Sequence, residues 1–370
     1  MHVRYATYGT DGPRVSALGF GVMRLPAAVG ALPGGDLDWA KGVGLLRRAL
    51  ELGVNFFDSH HQYLGGHSET AIGKALAGWK GEVVIQTKTP FYAAHPLEHF
   101  QRLVEEAALK LGRAPIDYLL FHSMTMDKFA ARGRDFIRLT DWAIKQGLVR
   151  RRGFSSHDSD ANVRAFIDTG EFSAMLLSYN WLNPQMAECL AYGTAKGMGV
   201  SVMNPIGGGQ LATDHPGVRN LLPGAASSAE VCMRFVMGTP GVQVTLSGMN
   251  ELAQLEENVR LAGLPAPLTD QERTGLLARV AEGHRKQQEF CTACGYCVPC
   301  PAGVDIPAHM KLLHQAEHFG LLSYAQRQYK WLVDNAKSAT LCRRCGECEP
   351  KCPNKVAIPD RLAEAAEKLK

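Results

Sequence analysis

Eight of the ten cysteines in this chain fall between Cys291 and Cys352, in two runs that share one spacing. In CTACGYCVPCP, Cys291, Cys294, Cys297 and Cys300 follow one another at two-residue intervals; in CRRCGECEPKCP, Cys342, Cys345, Cys348 and Cys352 do the same with one longer gap. Two-residue spacing lets three thiolates reach three corners of one iron–sulfur cubane, while a cysteine followed by proline turns away to ligate the other cubane. Two 4Fe-4S clusters with crossed ligation are therefore expected. Cys291, Cys294, Cys297 and Cys352 would hold one, and Cys342, Cys345, Cys348 and Cys300 the other. Structural zinc is the competing reading, but zinc needs only two C-x-x-C pairs per ion, whereas here triplets repeat and both runs end in Cys-Pro. Cys189 and Cys232 lie in helical segments and read as inert core thiols.

A second group of reactive residues stands earlier. Asp58, Lys88 and His122 each end a β-rich apolar run, and Tyr63 follows Asp58 by five residues. A buried lysine and aspartate beside a tyrosine suit acid–base work, because an ammonium stabilises tyrosinate and lowers the phenol pKa toward working pH. Such a phenol protonates a carbonyl oxygen as hydride arrives. Taken singly, Lys88 could be a solvated rim charge and His122 a satisfied core histidine; four such residues at strand ends argue against coincidence. His60, His61 and His67 crowd the tyrosine in SHHQYLGGH, where His60 or His61 could face substrate, tune Tyr63 or be solvated. No carboxylate–histidine spacing completes a mononuclear metal site there.

The elements that must position these side chains alternate along the chain. Eight β-rich runs occur at 15–21, 54–59, 82–88, 116–122, 149–155, 174–180, 199–205 and 242–248, with amphipathic stretches such as WAKGVGLLRRALELG and PLEHFQRLVEEAALKLG between them. Eight βα units in about 250 residues predict a (β/α)8 TIM barrel, an α/β fold whose chemistry sits at the C-terminal ends of the strands. The opening MHVRYATYGTDGPRVS predicts a hairpin that plugs the barrel floor. An open doubly wound sheet would want G-x-G-x-x-G after an early strand, and LGFGVMRL is not that pattern. The texture changes after residue 282, so the chain divides into a barrel at 1–282 and a small, mainly α-helical, ferredoxin-like domain at 283–370. The roughly 40 residues between the cysteine runs read as helix. This arrangement resembles the α-helical ferredoxin modules of multi-subunit reductases.

The barrel sequence is similar to the aldo-keto reductase superfamily. LGFGVMRLP, FFDSHHQYLGGHSETAIGKAL, VIQTKTP, DYLLFHS, GFSSH, YNWLNP, MNPIGGGQL and SGMNELAQLEENV fall in that family's order. With its tail, the chain resembles the subgroup carrying an iron–sulfur extension. The resemblance implies Tyr63 as general acid, Lys88 and Asp58 tuning it, and His122 orienting the substrate carbonyl. It also implies a nicotinamide cofactor bound without a Rossmann fold, NADP(H) or alternatively NAD(H). Ser155, Ser156 and Asn180 would lie near the carboxamide, and Gly248, Gln254, Glu257 and Asn258 around the adenosine. The chain departs from many members at Ser156, Leu176 and Met203, where they carry Asn, Gln and a stacking aromatic. Basic residues that hold a 2′-phosphate are missing from SGMNELAQ, which leaves Arg219 as a candidate.

Taken together, these features predict an oxidoreductase that reduces a small-molecule carbonyl or oxidises an alcohol, its clusters exchanging electrons with an external partner. Two alternatives stand beside it: an electron-transfer protein with the barrel as docking scaffold, and a redox-neutral epimerase working through a transient ketone. A formal charge of +4 spread over 370 residues argues against nucleic acid. No run approaches the roughly 20 apolar residues of a membrane span, and the N-terminus lacks a signal-peptide core, so a cytoplasmic location is expected.

Overall fold

The computed structural model of this chain describes residues 2–27, 37–91, 94–182, 184–212, 216–288, 291, 295–352 and 355–370, with backbone alone at 210 and 283–288. It opens with an antiparallel hairpin, β1 (Tyr5–Thr7) against β2 (Arg14–Ser16), as the opening segment predicts. Eight parallel strands follow: β3 (Leu18–Gly21), β4 (Phe56–Asp58), β5 (Val84–Thr89), β6 (Ile116–Met124), β7 (Val149–Ser156), β8 (Ala174–Ser178), β9 (Gly199–Met203) and β10 (Val244–Ser247). They close into a barrel in chain order, β10 pairing with both β3 and β9. Each strand falls inside one of the eight predicted runs or within two residues of its ends.

The alternation of β5 shows how the barrel sorts its side chains. Val84 joins the interior core and Gln86 and Lys88 make their bonds inside the barrel, while Thr87 turns outward to donate to Glu69 of the surrounding helix α2 (Ser68–Leu76). Phe56, Tyr118, Leu120, Leu176, Val244 and Leu246 fill the lower interior around Tyr8, the residue that follows β1. Tyr8 reaches this place because β9 begins with glycine: a Cβ on Gly199 would sit 2.5 Å from the Tyr8 ring. The hairpin thus closes the floor with a ring.

Helix ends follow local chemistry. The first barrel helix, α1 (Trp39–Glu51), is capped by Asp38, whose carboxylate accepts from the Lys41 amide at 3.1 Å. Helix α3 (Leu97–Leu111) stops at Gly112, which takes a left-handed conformation. After β6 comes α4 (Met126–Lys145), capped by Thr125; after β7 comes α5 (Asp160–Asp168), capped by Ser159. Helices α6 (Ala187–Ala195), α7 (Pro216–Arg219), α8 (Ser228–Met237) and α9 (Leu252–Ala262) complete the succession.

The chain forms two compact units, residues 1–208 with 233–267, and residues 209–232 with 268–370. In the second unit, α10 (Asp270–Gln288) begins with a reciprocal cap. The Thr269 amide donates to the Glu272 carboxylate at 2.8 Å and the Glu272 amide to the Thr269 hydroxyl at 3.2 Å. This helix is continuous through residue 282. Helices α11 (Ile306–Phe319), α12 (Leu322–Asp334) and α13 (Ile358–Lys368) share one apolar core built on Ile306, Leu313, Leu332, Ile358 and Leu362. Cys291, Cys297, Cys300, Cys342, Cys348 and Cys352 all pack against that core.

The cysteine runs repeat in backbone as well as in sequence. Gly295 and Gly346, each preceding the third cysteine by two residues, both take positive φ, at 79° and 75°. Their carbonyls accept from Val298 and Glu349 in matching turns. The Cys300 and Cys352 carbonyls accept likewise from Gly303 and Lys355. Each run then enters a V-x-I-P segment that starts α11 or α13 with proline in the first turn. The longer gap in the second run leaves this pattern intact.

Candidate functional site

The four acid–base residues predicted at strand ends do come together at the C-terminal mouth of the barrel. Lys88 on β5 is 2% exposed and its Nζ lies 2.6 Å from Asp58 Oδ2 and 2.7 Å from the Ser59 carbonyl. A pair so buried holds only because both charges are otherwise satisfied. Gln86 supplies the remaining contact, donating through Nε2 to Asp58 Oδ1 at 2.8 Å. Tyr63 sits in a short 3-10 turn after β4, with Leu64 and Gly65 in left-handed conformations that throw the ring back over the mouth. Its ring centre is 5.0 Å from Lys88 Nζ and 6.4 Å from the His122 ring.

His122 owes its placement to an irregularity. Pairing of β6 with β7 shifts register between Phe121 and Met124, and Ser123 takes φ 49°. Ser155 stabilises the bulge, accepting from the Ser123 amide at 2.9 Å, and Ser156 donates to the Met124 carbonyl at 2.8 Å.

Burial pushes the Tyr63 phenol above its ordinary pKa; the Lys88 ammonium pulls it down, and Asp58 pushes it up again. Lys88 therefore acts in the expected direction, yet burial outweighs it, because Asp58 offsets much of its charge. The phenol is protonated at neutral pH. His122 is held down to about 4 by burial and then by Lys88, so its imidazole is neutral. His60 lies against both rings, 4.1 Å from His122 and 4.9 Å from Tyr63, and is 2% exposed. Its Nδ1 accepts from the Gln62 amide at 3.0 Å, which leaves the proton on Nε2, and burial lowers its pKa to about 2. His60 is thus part of the inner wall. His61 is half-buried, its pKa lowered by burial and then by Lys110, and His67 is exposed.

The residues implied for a nucleotide fall into two groups. The hydroxyls of Ser155 and Ser156 are committed to backbone, Ser156 also accepting from the Asp158 amide at 3.0 Å. Each keeps one lone pair free to accept a further hydrogen bond. Asn180 donates to the Asn204 carbonyl at 3.0 Å and accepts from the Leu182 amide. Leu176 is a core residue of the barrel, and Met203 packs against that core. The loop after β10 fits a phosphate. Gly248 is exposed there, Gln254 accepts from the Asn250 amide, and α9 starts without a side-chain cap, its N-cap residue being the exposed Glu251 and its first turn holding no acid. Behind it, buried Asn258 donates to the Ser247 hydroxyl at 3.1 Å, and Glu257 is half-buried. Arg219 ends α7 in the second unit.

Two residues gave no signal in the sequence. Gln86 appears only once β5 turns it inward onto Asp58. Arg24 passes its stem beside Gly248 and donates through its guanidinium to the Gly208 carbonyl, in the loop after β9.

Of the eight predicted cluster ligands, Cys294 lies outside the described residues. Cys300, Cys342, Cys345 and Cys348 line one pocket together with Cys297, closed by Pro299, Ile306 and Leu362. Burial raises the Cys348 thiol, and Cys342 and Cys345 are near enough to raise it further. Among the described residues no three His, Cys, Asp or Glu side chains converge as ligands of a single ion. Thiols spread around a void suit a group with bulk of its own, as a cubane is. Cys189 is buried, lies 2.9 Å from Asp160 Oδ1, and has its thiol pushed up to about 12 by burial, so it is inert. Cys232 is buried likewise, its thiol 3.8 Å from the Leu211 carbonyl.

Comparison with known proteins follows the same division. The aldo/keto reductase family profile matches residues 17–219, and a 4Fe-4S dicluster domain profile matches residues 290–357. L-galactose dehydrogenase of Arabidopsis thaliana is 24% identical over 294 residues, 72% of this chain and 89% of the plant enzyme. NADH-specific methylglyoxal reductase of Escherichia coli is 25% identical over 326 residues, 74% of this chain and 97% of its own length. Among solved structures, the holo form of an aldo-keto reductase from Bacillus halodurans superposes with a TM-score of 0.65 at 22% identity. It covers 75% of this chain and 96% of that one. Among the described residues no helix is long and apolar enough to cross a membrane. With a profile match over more than half of its 370 residues and the barrel to carry it, this chain is an oxidoreductase that belongs to the aldo/keto reductase family and bears a 4Fe-4S dicluster domain later in its sequence.

Proposed function

We propose that the barrel interconverts a small polar carbonyl compound and its alcohol with NADP(H) or NAD(H), and that two 4Fe-4S clusters held by the tail, from about residue 283 onward, pass electrons singly to a partner. The observation that supports this most is the buried Lys88–Asp58 pair at 2.6 Å beneath the Tyr63 ring. A bound nicotinamide would supply hydride, two electrons at once. Tyr63 gives its phenolic proton to the carbonyl oxygen as the electron pair of the C=O bond moves onto that oxygen. Lys88 stabilises the phenolate left behind, and Asp58, fixed by Gln86, holds Lys88 in place. Neutral His122 donates to the same oxygen and sets the face of the carbonyl. Solvent then returns a proton to Tyr63.

The uncapped start of α9 suits the phosphates of the nucleotide. The printed names of two relatives, an L-galactose dehydrogenase and a methylglyoxal reductase, favour a small oxygenated carbonyl substrate. In the tail, Cys300 lines a pocket with Cys342, Cys345 and Cys348, as the crossed set asks, with Cys297 of the other set at the same pocket. Calorimetry on cluster-loaded protein tests the nucleotide half of this reading: NADPH or NADH should bind with one site per barrel, and binding of neither would remove it. Turnover of a carbonyl panel by the wild type but not by Tyr63→Phe tests the chemical half.

A further inference from the structure

In the second unit His309 is a buried histidine with both ring nitrogens engaged. It is fully buried on α11, its Nδ1 lies 2.6 Å from the Asp305 carbonyl, and its Nε2 accepts from the Ala339 amide at 2.9 Å. Because Nε2 accepts, Nδ1 carries the proton and donates, so one tautomer is fixed. The two partners are not arbitrary. Asp305 is the cap of α11, five residues beyond Cys300; Ala339 opens the short 3-10 turn Ala339–Leu341 that delivers Cys342. A second tie runs in parallel, from the Asp305 amide to the Lys337 carbonyl at 3.3 Å. The Tyr329 ring meets His309 edge-on at 5.5 Å, and its hydroxyl is 3.3 Å from Ser338 Oγ, so the same imidazole is braced from α12. Cys300 and Cys342 come from runs 42 residues apart, yet both line one pocket with Cys345 and Cys348.

We propose that His309 is the positioning residue for the cluster held by Cys300, Cys342, Cys345 and Cys348, fixing the first run's last cysteine in register with the second run. This rests on the crossed ligand sets. It adds that one imidazole outside every cysteine motif decides whether the crossed set closes. A side chain that must donate at one end and accept at the other, across a fixed span, is met by neutral histidine. Leucine of similar bulk fills the space and leaves the Ala339 amide without its acceptor. Among the described residues His309 touches no cysteine of either set directly; it reaches Cys300 through Asp305 and Cys342 through Ala339.

The test uses the full chain, reconstituted anaerobically, with iron content and the electron paramagnetic resonance of the reduced protein read together. Cys345→Ser supplies the reference for losing this cluster alone. His309→Leu is expected to lower iron by about half and to leave the same residual signal as Cys345→Ser, with helical circular dichroism retained. Full iron with unchanged signals would overturn the proposal, and so would equal loss of both signals in a folded variant. Should His309→Leu fail to fold, His309→Gln, whose amide both donates and accepts, decides. Full iron is then expected, with a change confined to the signal that Cys345→Ser removes, and an unchanged spectrum in that variant overturns the proposal.

Discussion

Tyr63 carries its proton at neutral pH because burial outweighs the pull of Lys88, and this sets the direction in which each neighbouring residue acts. Tyr63→Phe is expected to lower carbonyl reduction by about 10²–10⁴-fold, read as kcat at saturating nucleotide with binding retained. Gln86 acts through Asp58. Gln86→Leu leaves Asp58 Oδ1 without its donor and loosens its contact with Lys88, so the Lys88 charge acts on Tyr63 less offset; the alkaline limb of the pH–rate profile should move down and kcat fall about tenfold. An unmoved limb would mean that Gln86 only packs. The histidines give a separate signature in stability. His60 and His122 are neutral when folded, with pKa values near 2 and 4, and an unfolded histidine titrates near 6.5. Below pH 6.5 the unfolded chain therefore binds more protons, and stability falls as pH drops, by about 1.4 kcal/mol per unit for each histidine. The His122 contribution levels off near pH 4, while that of His60 continues lower. Denaturant titration at pH 7 and pH 5 should show the drop, and His60→Phe should reduce it. Asp58, Lys88, Tyr63 and His122 were legible because reactive residues at strand ends stand out against apolar runs. Gln86 was not, since what matters is the carboxylate it meets; His60 stood out beside Tyr63, but its place in the inner wall depends on the rings it packs against.

At the scale of elements, the eight strand runs were readable because each is short, apolar and separated by amphipathic helix. The floor hairpin was readable too, but its weight was not: Tyr8 is a fully buried ring at the hub of the barrel core, hydrogen-bonded to Ser201 at 3.0 Å. Tyr8→Ala should destabilise the protein by about 3–5 kcal/mol, measured by denaturant unfolding, and should do so without altering iron content. The bulge in β6 escaped the sequence because a register shift depends on the partner strand. It is the bulge that engages Ser155 and Ser156, so the hydroxyls implied for nicotinamide also hold backbone. In the tail the spacing of cysteines announced a cluster module, while the V-x-I-P entries to α11 and α13 show that the repeat extends beyond the ligands.

For the whole molecule, the proposed function brings together two chemistries that count electrons differently. A hydride carries two electrons and a cluster takes one, so two clusters can together take what one nicotinamide gives. No sequence pattern could announce such coupling, because ligand spacing fixes what is bound and says nothing of when it is reduced. The most direct measurement is anaerobic stopped-flow mixing of cluster-loaded protein with NADPH or NADH, following nucleotide absorbance and cluster bleaching together, with and without a small carbonyl compound. Nucleotide oxidation dependent on the carbonyl, abolished in Tyr63→Phe, is expected, with cluster bleaching only when a flavin is added as the carrier that splits the hydride pair into single electrons. Bleaching that proceeds equally in Tyr63→Phe with no carbonyl turnover in the wild type would contradict the account, leaving the barrel a scaffold for an electron-transfer tail.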